Sequence, residues 1–227
     1  LLPVALVLKQ PDLGTAVLMA AGSISLFFLV GVQMWKFCAL GATGLLSLPI
    51  GWRFLHDYQK ERVFTFLDPE RDPLGKGYHI LQSKITLGSG GIFGKGFLQG
   101  TQSRLNFLPE KQTDFIFTVF AEEFGLIGSV SLLTLYLALI FYGYVIAFRS
   151  TSFFGRLLAL GLTTNLFLYV FINIAMVMGL LPVVGVPLPM ISYGGTVMLT
   201  LMFSFGLVEC VNVNRDVQIG RCGAYDD

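Results

Sequence analysis

FLPEKQTDFIFTVFAEEFG, Phe107 to Gly125, is the stretch on which the reading of this chain turns. It carries Glu110, Lys111 and Asp114, then Glu122 and Glu123, and from Phe124 to Phe148 the sequence holds no charge. A bilayer crossing needs roughly 20 mostly apolar residues in a helix, so Asp114 stands at the entrance of a span. Working outward, two further runs lack charge, Leu13 to Trp35 and Leu157 to Val208. The second is too long for one helix, and PVVGVPLP, Pro182 to Pro189, divides it with prolines and a glycine. A weaker candidate begins at Phe37; its Pro49 is tolerable because neighbouring helices satisfy the freed carbonyl.

Composition agrees: the chain is 54% hydrophobic and 13% charged, with mean hydropathy +0.72, whereas soluble domains hold about 25% charged residues. The expectation is an all-α polytopic membrane protein, a bundle of about five complete transmembrane helices near 13–35, 37–54, 115–148, 157–181 and 189–211. Leu1 to Leu8 reads as the end of another helix. A long loop, 55–114, and a tail, 212–227, complete one transmembrane domain. The chain opens inside an apolar run without Met, as expected of a fragment lacking its amino-terminal part, and Leu1 to Leu8 lacks the basic region and small-residue site of a signal peptide. A net charge of +1 gives no reason to expect nucleic acid. Cys38, Cys210 and Cys222 offer no disulfide framework.

Parity places the turn at Lys36, the connection with Arg149 and Arg156, and the tail with Arg215 and Arg221 on one side. Short basic loops mark the cytoplasm, so the long loop is expected on the exoplasmic face. Its Phe64, Tyr78, Ile80, Ile92, Phe93, Phe97 and Phe107 are interleaved with charges, unlike a disordered linker, and can bury apolar surface against membrane or bundle.

The loop's glycine-rich centre, Gly75 to Ser103, matches neither standard phosphate-cradling pattern: Phe93 stands where the dinucleotide fingerprint needs glycine, and Gly96 follows Lys95 where a Walker loop needs Ser or Thr. Tight turns folding onto the bilayer surface are one reading. The other is an anionic or sugar-bearing head group held by Lys76, Lys84, Lys95, Gln82, Ser83 and Gln102.

With a helix starting near Thr113, a good N-cap residue, Asp114, Thr118, Ala121, Glu122 and Gly125 share one face. Such a stripe must face the bundle or water, because a carboxylate facing lipid is costly. Three roles stay open to Asp114: a charge favoured by the helix dipole, worth about 0.3 to 1 kcal/mol; an ion or proton relay; and a general base taking a proton from a hydroxyl. The helix N-terminus weakens it as a base, while Glu110 and partial burial act oppositely. Asn165, Tyr169 and Asn173 recur every four residues as a polar seam, for which interhelical packing is the expectation. PLPMISYGG, Pro187 to Gly195, places Ser192 and Tyr193 in irregular backbone at the mouth of the last span.

DPLGKGYHILQSK, GSGGIFGKG, GTQS, FLPEKQTDFIF with AEEFG, and PVVGVPLPMISYGG together resemble the SEDS (shape, elongation, division and sporulation) family of bacterial peptidoglycan glycosyltransferases, and GYHILQSK and GSGGIFGKG resemble its rod-shape branch more than its division branch. The resemblance runs from Gln10 to Asn214. It implies a multi-pass enzyme of the bacterial inner membrane that joins lipid II into a nascent glycan strand on the exoplasmic face and releases undecaprenyl pyrophosphate. It further implies a ten-span fold of which this is the second half. The motif matching LPEKQTDF makes Asp114 the catalytic candidate, activating the acceptor's 4-hydroxyl for attack with inversion. Lys84, Lys95, Gln82, Ser83, Gln102, Glu110 and Ser192 become candidate substrate-binding residues. Expected partners are lipid II, membrane lipids, the elongation machinery and a class B penicillin-binding protein. No metal site is expected, since His56 and His79 are not spaced as ligands; Mg²⁺ or Mn²⁺ would come only with the pyrophosphate. The rival readings are a lipid II flippase, which needs a path from both faces, and a non-catalytic scaffold, which should tolerate Asp114→Asn.

Overall fold

The computed structural model describes residues 6–7, 10, 13–54, 60, 64–65, 68, 76–101 and 112–217. Regular structure among the described residues is helical: α1 Leu13–Leu29, α2 Met34–Phe54, α3 Lys76–Ser89, α4 Ile116–Arg149, α5 Phe153–Val177 and α6 Gly195–Val213. Helices α4, α5 and α6 are long and apolar enough to cross a membrane, and α1 is apolar but shorter. The chain is therefore a polytopic helical membrane protein.

The boundaries depart from the sequence reading where polar contacts decide them. Helix α4 begins at Ile116 rather than near Thr113, after a turn over residues 112–115. The Asp114 carbonyl accepts from Asn173 Nδ2 at 2.9 Å, while the Thr118 amide donates to Phe115. Residues 182–194 stay non-helical, so α6 starts later than residue 189. Helix α3 lies inside what the sequence suggests is loop. Its buried face is Gly77, Ile80, Ser83 and Thr86, a helical spacing of three. Ile80 is the one large apolar residue of the four, so an apolar periodicity does not register the stripe.

The helices sort into two compact units, one drawn from Leu1–Val30, Val130–Phe171 and Val186–Asp227, the other from Gly31–Ser129 and Ile172–Gly185. In the first, Ile140, Leu166 and Leu201 form one core cluster, and Ala147, Ala159 and Leu160 another. Small residues allow close approach of helices, as is usual in membranes: a methyl group on Gly143 would lie 2.4 Å from Thr163 Oγ1. Tyr144 and Thr164 hydroxyls meet at 3.0 Å.

The second unit is organised around a break in α4. Gly125 leaves the helical region at φ 66°, ψ −162°, freeing amides and carbonyls that an apolar setting would penalise. The glycine-rich loop after α3 takes them. Leu126 and Ile127 amides donate to the Gly91 and Ile92 carbonyls at 2.9 and 3.2 Å, and Lys95 and Gly96 amides donate to the Glu122 and Glu123 carbonyls at 3.0 Å each. Side chains would prevent this contact: a Cβ on Gly94 would stand 2.1 Å from the Glu123 oxygen, and one on Gly125 2.2 Å from the Gly94 nitrogen. GSGGIFGKG thus acts as a backbone splint for an interrupted helix.

Candidate active site

Asp114 sits in the turn before α4, half-buried, between a buried Phe115 and the buried polar stripe that follows it. Thr118 and Glu122 on that stripe are fully buried, and Ala121 is 5% exposed. The Asp114 backbone is held by the bond from Asn173, itself fully buried. The connection after α5 passes the carboxylate: a methyl group on Gly185, where φ is +76°, would lie 3.3 Å from Asp114 Oδ2.

The same connection meets a lysine. The Lys84 stem lies over Gly179, φ +70°, so closely that a Cβ there would be 2.3 Å from Cε and 2.8 Å from Nζ. Gly179 and Gly185 are six residues apart, so their Cα atoms are separated by roughly 21 Å at most. Lys84 and Asp114 therefore flank one short segment, and Lys84 is exposed. A carboxylate able to take a proton thus lies at one end of this segment, and a cation able to meet an anionic group at the other.

The other sequence candidates are placed differently. Ser83 is fully buried; its hydroxyl meets Thr118 Oγ1 at 3.0 Å and donates to the Val177 carbonyl at 2.8 Å. It ties α3 to α4 and to the end of α5. Gln82 is 8% exposed. Lys95 turns inward to the fully buried Glu122 at 2.8 Å, and also donates to Ser89 at 3.0 Å and Thr101 at 2.8 Å. Ser192 belongs to the other unit, where its Oγ accepts the Leu188 amide at 2.7 Å and shapes the bend before α6. Gln102 and Glu110 lie outside the described residues.

The polar seam divides: Asn173 secures Asp114, whereas Asn165 is exposed and lines two cavities of the first unit, of about 260 and 360 Å³. Sequence reasoning missed Gly179 and Gly185 as site-shaping positions; the sole signal was the glycine in PVVGVPLP. Among the described residues no three of His, Cys, Asp and Glu gather to hold a metal ion.

Comparison with known proteins decides the family. The sequence model of the FTSW/RODA/SPOVE cell cycle proteins matches residues 1–217. The chain belongs to that family. It is 54% identical over 216 residues to the peptidoglycan glycosyltransferase MrdB of Escherichia coli K12, covering 94% of this chain and 58% of that protein. Among solved structures it resembles a chain of a peptidoglycan synthase complex, studied for the coordination of polymerization and crosslinking, with TM-score 0.78, 34% identity and coverage of 94% of this chain and 59% of that one. It also resembles an Asp-to-Ala mutant of the rod shape determining protein RodA of Thermus thermophilus, with TM-score 0.61, 28% identity and coverage of 94% and 54%. The chain spans little more than half the length of these family members.

Proposed function

We propose that the whole protein to which this chain belongs is a peptidoglycan glycosyltransferase of the bacterial inner membrane, polymerising lipid II on the exoplasmic face during cell-wall elongation. Asp114 is its general base. The observation that carries this reading is the setting of Asp114: a half-buried carboxylate, fixed through its backbone by Asn173 and beside Gly185, at one end of a short segment that Lys84 borders at Gly179. A base must be held in place yet reach its substrate, and this arrangement meets both requirements.

In the proposed step the acceptor's 4-hydroxyl gives its proton to Asp114 as its oxygen bonds to the donor's anomeric carbon. The bond from that carbon to the pyrophosphate oxygen breaks, its electron pair leaving with undecaprenyl pyrophosphate, and the configuration inverts. A sugar hydroxyl is a far weaker acid than a carboxylic acid, so proton transfer accompanies bond formation rather than preceding it. Lys84, exposed beside Gly179, is suited to the departing negative charge. Lys95 is not assigned that role, because its ammonium is engaged by Glu122.

The proposed partner is a class B penicillin-binding protein, in keeping with the likeness to a chain of a synthase complex. The test is conversion of labelled lipid II to glycan polymer by the reconstituted full-length protein, with and without that partner. Polymer is the expected product. Transfer of intact lipid II between leaflets without polymer would replace the enzyme reading with the flippase, and neither product with the partner bound would favour the scaffold.

A further inference from the structure

The loop that splints the break in α4 has its polar and apolar sides reversed for life in water. Its cation, Lys95, points inward to Glu122. Its large apolar side chains point outward, with Ile92 59% exposed, Phe93 82%, Phe97 69% and Leu98 60%. Phe97 lies 6.3 Å from Phe124, whose ring stacks on Phe120 at 4.7 Å. This loop face is thereby continuous with the exposed Phe124, Leu126 and Ile127 of α4.

The depth of the loop follows from α4. The helix ends at Arg149 and carries no charge back to Glu123. A hydrocarbon crossing takes about 20 residues, so a helix entering at Arg149 reaches the opposite boundary about one turn from Gly125. The backbone bonds from Leu126 and Ile127 to Gly91 and Ile92 hold the loop at that level. Apolar and aromatic side chains are favoured there, and four of the loop's backbone groups, the Gly91 and Ile92 carbonyls and the Lys95 and Gly96 amides, are paired with α4.

We infer that Ile92, Phe93 and Phe97 form a bilayer anchor, seated in lipid at the membrane boundary away from Arg149. The occupant of this apolar face is lipid, because the face continues that of a spanning helix. The anchor holds α3, and with it Lys84, against the membrane surface. The inference rests on the membrane assignment and not on the glycosyltransferase reading.

The test uses the full-length protein with its native cysteines replaced by serine, in nanodiscs of phosphatidylethanolamine and phosphatidylglycerol. Nitroxide labels are placed at Ile92→Cys, Phe93→Cys and Phe97→Cys, with Leu135→Cys as the lipid reference and Thr151→Cys as the aqueous one. Collision with oxygen relative to a nickel chelate should be several-fold higher at the three loop positions than at Thr151→Cys, approaching Leu135→Cys. A ratio equal to that at Thr151→Cys would overturn the anchor, and so would exclusion of both reagents, which would mean a protein surface covers the loop. With three independent positions, failure of one variant to fold leaves the test intact.

Discussion

One hydrogen bond and two neighbours set the place of Asp114, and the approach of Gly185 has a measurable consequence. Asn173 grips its carbonyl, Phe115 buries its turn, and Gly185 passes close to its carboxylate. Gly185→Ala adds a methyl group 3.3 Å from Oδ2 at a backbone φ of +76°, so it should cost about 1–2 kcal/mol of stability from the left-handed conformation alone. It should also reduce polymer formation more than the same loss produced elsewhere; equal activity losses in stability-matched variants would show that the glycine only shapes a turn. At this scale the sequence was informative about Asp114 because a carboxylate at a span entrance stands out. It was mute about Asn173 as its holder, since an asparagine seam reads equally well as interhelical packing. Ser83 looked like a ligand for a head group, and proved to be a fully buried tie between helices, because polarity in a sequence does not tell which way a hydroxyl points.

Helix α4 survives its break because a loop completes it, and the Lys95–Glu122 pair locks the two together. Glu122 is fully buried, so Lys95→Met strands a charge and should destabilise by roughly 3–5 kcal/mol. Glu122→Gln keeps an acceptor for Lys95 and should cost clearly less. Joining Lys95→Met to Glu122→Leu should recover part of the loss; equilibrium unfolding of Lys95→Met, Glu122→Leu and the double variant, read as a cycle with the parent protein, would refute the lock if the effects simply add. Gly94→Ala forces a Cβ to within 2.1 Å of the Glu123 oxygen. The loop should then lift from α4 and become sensitive to added protease, while unchanged resistance would contradict the splint. The long apolar helices were legible from their charge-free runs. Helix α3 and the splint were not, because one buries a glycine and two hydroxyls around a single isoleucine in place of a greasy stripe, and the other works through backbone groups.

For the whole molecule, the proposed orientation rests on the basic residues, with Arg149 and Arg156 in the short connection between α4 and α5 and α3 in the segment of opposite parity. In a full-length protein whose native cysteines are serine, Thr151→Cys should react with an impermeant maleimide only after the membrane is opened, and Gln99→Cys in intact cells; the reverse pattern would invert the topology. Family membership was legible from motifs spread along the chain, whereas the division into two units was not, since two of its four boundaries fall within α4 and α5 rather than at a composition change. The central claim is that Asp114 performs the proton transfer of glycan polymerisation, and the most direct measurement compares polymer from labelled lipid II made by the full-length protein and its Asp114→Asn form, with equal melting temperature and partner binding verified for both. The amide variant, isosteric but unable to accept the proton, should make at least about a hundredfold less polymer. Polymer at the wild-type rate from a folded Asp114→Asn protein would contradict it.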